Sequence, residues 1–391
     1  MTTTATAVAR AKDRLAINVL RERMPLGEAE VTRFIDQHTI PIVEGPRCTF
    51  LFRGEADEVW LVHRIVELPN RIALKRLRGT DLWYLVLELP EGSRVEYQIE
   101  VRHGNHYDRF NDPLNPQLSN SPIGRSSVCF AYGYETPEWT LPDPDARPGE
   151  LTDLVISSKA LRRDCPVSVY LPARFRRTAK YPLLVVHDGP DFLQFAGMKT
   201  VLDNLIHRLD VAETVVAFLH PGDRLKEYAN STAHSRYLTD ELVPHLEAEL
   251  PLIGQPAGRC LLGSSFGAIA SLSAANRSPD TYGSLALMSG SFVFTDIATD
   301  HGGGPAFDPV VKFVNRFRAR PRRVADRAYV SCGVYEPLII PNRAMVLTLE
   351  GVGVAVRFDE ARDGHSWENW RDRLRDALSY VYPGPQKLVY E

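Results

Sequence analysis

The chain has 391 residues, of which 44% are hydrophobic and 24% charged, and its formal net charge is −3. This composition is typical of a soluble globular protein, and the length exceeds what one hydrophobic core usually serves, so we expect more than one domain. A charge so close to neutrality gives no indication of a nucleic-acid or membrane-surface partner.

The N-terminal segment has no feature of a secretion signal. Its first residues contain no apolar run of the required length, and Arg10, Lys12 and Arg14 interrupt the stretch where one would lie. No later stretch approaches the roughly 18 apolar residues of a membrane-spanning helix. We therefore expect a cytoplasmic protein without a membrane partner.

The cysteines are five in number, an odd count, and they follow no metal-ligand spacing. Without a secretion signal, this distribution is typical of free and mostly buried thiols. We therefore expect no metal site. A cysteine nucleophile is a less favoured alternative to the serine described below. The cysteines are Cys48, Cys129, Cys165, Cys260 and Cys332.

The first third of the chain changes pattern twice. Residues 1–40 are predicted to form a helical region, with a second helix at 27–38. Residues 41–135 contain short alternating apolar runs separated by turn residues, which is typical of a small antiparallel sandwich. Residues 136–150 hold four prolines and predict a linker. The predicted strands of the sandwich include 48–52, 58–62, 83–87 and 95–99.

From residue 151 to residue 391, strand-like and helix-like runs alternate. This pattern predicts an α/β fold with a mostly parallel sheet and helices on both faces. Ligands of such sheets bind at the carboxyl ends of the strands. Strands are predicted at 167–171, 182–186, 214–219, 260–262, 284–288, 328–331 and 354–358, and helices at 193–209, 233–250, 266–277, 307–318, 338–350 and 367–381.

Residues 263–267 have the sequence G-S-S-F-G, a G-x-S-x-G motif between a predicted strand and a predicted helix. In this context the motif indicates a nucleophile elbow, in which a serine lies on a tight turn that glycines make sterically possible. Ser265 is therefore the predicted nucleophile, and the N–H of Phe266 is the first predicted oxyanion donor. The alternative is a serine that only caps the following helix.

His365 is the predicted general base. It lies in a polar loop between the last predicted strand and the last predicted helix, which is where an α/β-hydrolase needs its histidine. A surface histidine without a catalytic role is the alternative at this position. His187 also follows a strand, but it precedes the serine and suits an oxyanion loop better than a base.

Glu336 is the predicted acid, because it follows the predicted strand at 328–331 and precedes His365. The chain order serine, acid, histidine is that of α/β-hydrolases. Asp359, Glu360 and Asp363 lie closer to His365 in sequence and are the alternatives. Residues 301–304, H-G-G-G, resemble an oxyanion motif but follow the nucleophile, so we predict a flexible loop there.

Together these features resemble the enterochelin esterase family, within the esterase-D-like and feruloyl-type α/β-hydrolases, over nearly the whole chain. The resemblance rests on Val169-Tyr170-Leu171-Pro172, His187-Asp188-Gly189, Arg224 with Glu227-Tyr228, the segment 241–244, the elbow at 263–267, Ser289-Gly290-Ser291, Cys332-Gly333 with Glu336-Pro337, Asn342-Arg343, Gly364-His365 with Trp367 and Trp370, and the segments 89–98 and 112–116.

The resemblance implies an α/β-hydrolase domain at 151–391, preceded by an immunoglobulin-like β-sandwich at 41–135. It implies the same triad of Ser265, Glu336 and His365. The family position that donates the second oxyanion N–H is Pro190 here, which has none, so the donor would be Gly189 or Asp191. After the catalytic histidine the family often has aspartate, where this chain has Ser366. Residues expected to contact the substrate are His187, Asp188, Arg224 and Trp367.

The implied function is that of a serine carboxylic-ester hydrolase which cleaves siderophore-like esters through an acyl-enzyme, in iron metabolism. No cofactor is implied, because iron would arrive with a ferric siderophore as substrate. One alternative is an esterase for feruloyl, acetyl-carbohydrate or other small esters. Another is a ligand-binding protein on a hydrolase fold, although an intact set of serine, glutamate and histidine favours the enzyme.

Overall fold

The computed structural model describes residues 15–295 and 304–385. These residues form two compact units. The first comprises the described residues up to Glu135 together with Arg362–Gly364, and the second comprises the described residues of Thr136–Ala361 and from His365 onwards.

The first unit contains two helices followed by two antiparallel sheets. One sheet has the strand order β1-β2-β6-β5, and the other has the order β4-β3-β7-β8, with β9 also paired to β7. The elements are α1 (Ala16–Glu22), α2 (Glu28–Asp36), β1 (Ile42–Glu44), β2 (Arg47–Arg53), β3 (Glu58–His63), β4 (Arg71–Ala73), β5 (Lys75–Arg76), β6 (Leu82–Glu88), β7 (Arg94–His103), β8 (His106–Phe110) and β9 (Ser127–Phe130).

The core of this unit joins the helices to the sheets. Val31 and Phe34 of α2 belong to one buried apolar cluster with Leu51 of β2. On the neighbouring position of β2, Phe50 meets Tyr97 of β7 edge to face, with ring centroids 4.9 Å apart. The four strands predicted for this region lie within β2, β3, β6 and β7. Assignment to the immunoglobulin-like class stays a prediction.

The second unit is built on one eight-stranded sheet of order β10-β11-β13-β12-β14-β15-β16-β17. The strands from β13 to β17 in this order are parallel, and β11 runs antiparallel to both of its neighbours, β10 and β13. This topology is that of an α/β-hydrolase and confirms the fold predicted for this part of the chain. The strands are β10 (Glu150–Ser158), β11 (Arg163–Leu171), β12 (Leu183–Val186), β13 (Val215–Leu219), β14 (Arg259–Ser264), β15 (Ser284–Met288), β16 (Arg327–Gly333) and β17 (Ala355–Ala361).

The helices of this unit mostly follow the predicted alternation, with some interruptions. The helix predicted at 193–209 is two helices, because Gly197 adopts a left-handed conformation with φ 56°. The region 233–250 is interrupted by a π-helical turn, Tyr237–Leu242. The helices are α3 (Gly189–Gln194), α4 (Met198–His207), α5 (Arg224–Tyr228), α6 (Thr232–Arg236), α7 (Val243–Glu249), α8 (Phe266–Arg277), α9 (Asp308–Ala319), α10 (Ile339–Glu350), α11 (Trp367–Asp372) and α12 (Leu374–Val381).

Two apolar clusters cover the two faces of this sheet. On β14, Leu261 belongs to the cluster that includes α8 residues, whereas Cys260 and Leu262 belong to the cluster that includes α4 and α12 residues. This division follows from the alternation of side chains along a strand. The central strands are therefore buried on both faces, and their carboxyl ends are the places where polar side chains emerge.

Candidate active site

Ser265 lies on the turn between β14 and α8, in a backbone conformation that few non-glycine residues adopt. Its φ is 53° and its ψ is −117°. A Cβ on Gly263 would lie 2.3 Å from the backbone carbon of Gly267, and a Cβ on Gly267 would lie 3.1 Å from the Cβ of His187. Close packing therefore requires glycine at position 263 and leaves little room for a side chain at position 267. This is the geometry of a nucleophile elbow, which projects the serine side chain above the sheet.

His365 and Glu336 are in direct contact. His365 follows β17, Glu336 follows β16, and the distance from His365 Nδ1 to Glu336 Oε2 is 2.5 Å. The side chain of His365 is 36% exposed and that of Glu336 only 2%. Because Nδ1 is engaged by the carboxylate, Nε2 is the ring nitrogen left for proton transfer. The buried acid thus orients an accessible imidazole.

The second carboxylate oxygen of Glu336 is also hydrogen-bonded. Ser289 Oγ donates to Oε1 at 2.6 Å, and the N–H of Gly333 donates to the same atom at 2.7 Å. Burial alone would raise the pKa of Glu336. The hydrogen bond with His365, the charge of that ring, and the hydrogen bonds from Ser289 and Gly333 together hold the pKa of Glu336 below its ordinary value. Glu336 is therefore kept ionised.

The three rival acids have other partners. Glu360 accepts two hydrogen bonds from Arg343, at 2.6 and 2.8 Å, and Asp359 lies 3.3 Å from Arg357. Asp363, within the first unit, pairs with Arg94 at 3.1 Å. Among the described carboxylates, Glu336 is the one hydrogen-bonded to the His365 ring.

The hydroxyl group of Ser265 lies within hydrogen-bond distance of a second serine, Ser291. Its Oγ lies 3.2 Å from Ser291 Oγ, while its backbone oxygen accepts from the N–H of Ser291 at 3.2 Å. In the part of the chain that the structure describes, Ser291 is its side-chain partner, and the hydrogen bond to His365 is not formed. Catalytic hydrogen bonds are often loose in the absence of substrate and shorten in the reacting complex.

The predicted oxyanion donors lie at the beginnings of two helices. Phe266 is the first residue of α8 and Gly189 the first of α3, so their N–H groups have no partner within the helix. Asp191 is in the first turn of α3, after Pro190. Gly189 packs against β13 so closely that a Cβ would lie 2.5 Å from the backbone of Phe218. The site can accept negative charge through these helix termini.

His187 lies behind the site rather than on its surface. The ring is fully buried; Nδ1 is 3.1 Å from Leu262 O, and Nε2 is 3.0 Å from Nε2 of His234. Because the Leu262 oxygen only accepts, Nδ1 carries the proton and His234 donates to Nε2. The sequence prediction that His187 contacts the substrate is therefore corrected: the ring supports the loop that leads to Gly189.

Asp188 and Arg224 form a bidentate ion pair next to the elbow. Arg224 Nε and Nη2 each lie 2.7 Å from one oxygen of Asp188. Asp188 is buried, with its side chain 1% exposed, so it offers little surface to a ligand, whereas the Arg224 side chain is 35% exposed. Arg224 also lies 6.0 Å from the ring centroid of Phe266. Of the two, Arg224 is the residue that a substrate can reach.

Trp367 is mostly buried at the start of α11. It is 9% exposed and packs edge to face against Phe192, with ring centroids 5.2 Å apart. Trp370, one turn further along, contacts both Trp367 and the His365 ring. The structure thus makes Trp367 part of the packing behind the histidine loop, and its contact with substrate stays a prediction.

Two side chains of the site were not assigned a role from the sequence. Ser289 donates to Glu336, and Trp370 Nε1 donates to Ser289 Oγ at 3.0 Å. Ser289 directly follows β15, and a polar residue after a parallel strand is the signal that could have identified it. For Trp370, no pattern in the sequence indicates that the indole reaches back to β15.

Other predicted features concern thiols, metals and membranes. All five cysteines are buried and unpaired, as predicted. Among residues 15–295 and 304–385, no group of three or more potential metal ligands is brought together. Over the same residues, no helix has both the length and the apolar character to cross a membrane. The loop predicted at 301–304 lies mostly outside the described residues.

The second unit matches a known protein family. The family model described as Esterase matches residues 158–381. The chain belongs to this esterase family. The match spans the elbow, Glu336 and His365, and it includes most of the α/β-hydrolase unit.

Individual relatives confirm the resemblance to enterochelin esterases. The iron(III) enterobactin esterase of Escherichia coli O6:H1 is 23% identical over 332 residues, which cover 78% of this chain and 80% of that protein. A Bacillus subtilis protein, YjcH, is 23% identical over 238 residues, or 59% of this chain and 96% of its own length. At this identity the esterase activity is supported but a shared substrate is not established.

Solved structures show the same fold. The ferric enterobactin esterase from Salmonella typhimurium superposes with a TM-score of 0.70 at 19% identity, over 86% of this chain and 93% of that chain. The Shigella flexneri enterobactin esterase gives a TM-score of 0.67 at 20% identity, over 86% and 92%. A ferulic acid esterase covers 60% of this chain and 98% of its own, with a TM-score of 0.51.

Proposed function

We propose that this esterase is a serine carboxylic-ester hydrolase that uses Ser265, His365 and Glu336 as a catalytic triad and cleaves siderophore-like esters. The observation that carries the proposal is the 2.5 Å contact between His365 Nδ1 and the buried Glu336 carboxylate. That contact occurs at the sheet edge where the nucleophile elbow also lies. A buried, ionised carboxylate in contact with His365 favours a catalytic histidine over a surface histidine without a catalytic role.

The first half of the reaction forms an acyl-enzyme. Ser265 Oγ attacks the ester carbonyl while His365 Nε2 takes the hydroxyl proton, and Glu336 stabilises the imidazolium that results. The N–H groups of Phe266 and Gly189 stabilise the oxyanion, because both project from helix N-termini. Asp191 is the alternative second donor. His365 then returns its proton to the departing alcohol.

The second half releases the acid. His365 takes a proton from a water molecule, which attacks the acyl carbonyl, and Ser265 regains its hydrogen as the acyl–oxygen bond breaks. All bonds made and broken involve the ester, the water molecule and this chain's own side chains. No cofactor takes part in any step. When a ferric siderophore is the substrate, its iron is cargo.

Arg224 is the residue that we assign to substrate binding. Two of its nitrogens are held by Asp188, so the guanidinium is fixed in orientation, and its side chain is partly exposed beside Phe266. A planar guanidinium fixed in this way presents its remaining N–H groups to carboxylate or catecholate oxygens. The similarity to enterobactin esterases supports an anionic substrate of this kind.

The direct test is turnover of a chromogenic short-acyl ester by the wild type and by Ser265→Ala. We expect the variant to lose several powers of ten in kcat, and a phosphonofluoridate to add one adduct, on Ser265. Ser273→Ala removes a buried hydroxyl that bonds only within α8, and it serves as the matched control. Full activity in Ser265→Ala, or an adduct on Ser264, would refute the proposal.

The substrate class needs a separate experiment. A cyclic catecholate trilactone, a feruloyl ester and an acetylated sugar are compared by kcat/KM on the wild type. We expect the trilactone to be preferred. Preference for the feruloyl ester or the acetylated sugar would assign the enzyme to the esterases that act on feruloyl, acetyl-carbohydrate or other small esters. Binding without turnover of any ester would indicate a ligand-binding protein. A cytoplasmic location and a role in iron metabolism are part of the proposal.

A further inference from the structure

Ser289 has a backbone conformation that its side chain makes costly. Its φ is 44°, in the left-handed region where glycine is the least strained residue. The residue is fully buried, and its N–H donates to Ser331 O at 2.7 Å. A glycine would satisfy the same backbone at lower cost. The presence of serine therefore points to the hydroxyl group.

The direction of each hydrogen bond at this hydroxyl is fixed by its partners. An indole N–H only donates, so Ser289 Oγ accepts from Trp370 Nε1 at 3.0 Å. An ionised carboxylate only accepts, so the Ser289 proton points to Glu336 Oε1, at 2.6 Å. The order of donation is therefore Trp370 to Ser289 to Glu336. It ends at the carboxylate that contacts the histidine.

Trp370 also contacts the histidine directly. Its ring and that of His365 are nearly perpendicular, at 89°, with centroids 5.0 Å apart. The indole is 5% exposed and packs against Trp367 on its other side. One side chain thus limits the rotation of the imidazole and, through Ser289, that of the acid.

We propose that Ser289 and Trp370 are positioning residues that hold the Glu336 carboxylate, and through it His365, in the reactive orientation. This inference rests on the proposed function, since it assigns a role within that triad. With Oε1 held by Ser289 and Gly333, the carboxylate cannot turn, and Oε2 stays directed at His365 Nδ1. Without the hydroxyl, Oε1 loses one of the donors that hold it and keeps the Gly333 N–H.

The test compares Ser289→Ala, Ser289→Gly and Trp370→Phe with the wild type on a short chromogenic ester. Loss of one hydrogen bond to a charged group should lower kcat about 10- to 100-fold for the serine variants. KM should change less than about twofold, because no substrate contact is removed. Trp370→Phe keeps the ring contact and loses the N–H, so a smaller loss of kcat is expected. Ser289→Gly suits the positive φ and guards against misfolding of the alanine variant.

A double-mutant cycle separates positioning from general support of the fold. In a Glu336→Ala background the residue that Ser289 positions is gone, so Ser289→Ala should cause no further loss of kcat. Equal losses in both backgrounds, or wild-type kcat in folded Ser289→Ala and Ser289→Gly, would overturn the inference. Ser273→Ala is the matched control for the serine variants, and Trp83→Phe, which removes the hydrogen bond from Trp83 Nε1 to Gly54 O at 3.0 Å in the first unit, is the control for Trp370→Phe. The activity of Ser265→Ala is measured in the same assay. It tests the assignment of the triad independently of the kcat values of the Ser289 variants.

Discussion

Asp188 and Arg224 share two hydrogen bonds of 2.7 Å, although Asp188 is buried and Arg224 reaches the surface. The carboxylate lies close to the elbow: its Oδ2 is 3.5 Å from the position that a Cβ on Gly267 would take. A negative charge is therefore held at the beginning of α8, the helix whose first N–H is assigned to the oxyanion. Arg224 neutralises this charge.

Replacing Arg224 with glutamine should therefore impair both catalysis and stability, because it leaves the buried Asp188 carboxylate without its partner. The unpaired Asp188 carboxylate would oppose the negative charge that develops on the substrate oxygen, and we expect kcat to fall by about 10- to 100-fold. Adding Asp188→Asn should restore part of the rate, because it removes the opposing charge. Both are measured as kcat on a neutral short-acyl ester.

Arg163 offers the matched control for this prediction. It forms a similar bidentate ion pair with Glu227, with both distances 2.8 Å, which joins β11 to α5. Arg163→Gln should leave kcat within about threefold of wild type. If Asp188→Asn does not recover any activity in the Arg224→Gln background, the charge argument is wrong.

The acid of the triad can be identified by neutral replacements. Glu336→Gln keeps the shape of the side chain but cannot stabilise the imidazolium, so we expect kcat to fall by about three powers of ten. Asp363→Asn and Glu360→Gln should each stay within about tenfold of wild type, because their carboxylates pair with arginines. A near-normal rate in Glu336→Gln, with a severe loss in Asp363→Asn, would assign the acid to Asp363.

The candidate triad was predictable because each of its members follows a strand. Parallel strands bring their carboxyl ends to one edge, so Ser265, Glu336 and His365 are brought near one another by topology alone. The strands themselves were recognisable because buried parallel strands are continuously apolar, as in β12 and β15. The sequence therefore predicts that Glu336 and His365 lie close together.

What the sequence did not predict depends on conformations and long-range contacts. No pattern in the sequence indicates that Ser289 adopts a positive φ. Its hydrogen bond with Trp370 joins two residues that are 81 positions apart in the chain. Strand β10 was missed because most of its residues are exposed and no apolar alternation marks it. His187 was assigned to the substrate because a polar residue after a strand can point either into the site or behind it. Its burial against His234 decides between the two.

The two glycines of the elbow should differ in their tolerance of alanine. At Gly263 the added Cβ would lie 2.3 Å from backbone atoms of Gly267, which cannot move without shifting α8. At Gly267 the contact is 3.1 Å, with the side chain of His187. We expect Gly263→Ala to lower the free energy of unfolding by roughly 3 kcal/mol and Gly267→Ala by about 1 kcal/mol. Urea unfolding measures both, and the reverse order would contradict the steric account.

The buried histidine pair should make stability depend on pH. Burial lowers the pKa of His187 to about 4, from an ordinary value of 6.5, and holds the pKa of His234 well below its ordinary range. Above pH 6.5 both rings are neutral whether the chain is folded or unfolded, so stability there is unaffected. As the pH falls from 6.5 towards 4, the unfolded chain binds protons that the folded chain excludes, and stability is lost.

For His187 alone this loss amounts to ~3 kcal/mol between pH 6.5 and pH 4. The prediction is checked by urea unfolding at several pH values in this interval, for the wild type and for His187→Asn. The asparagine has a side-chain N–H for the Leu262 oxygen but does not titrate, so its free energy of unfolding should fall less steeply with decreasing pH. His245→Asn, a change at an exposed histidine, is the control and should keep the wild-type slope. The same slope in His187→Asn as in the wild type would mean that the buried pair is not the source of the acid sensitivity.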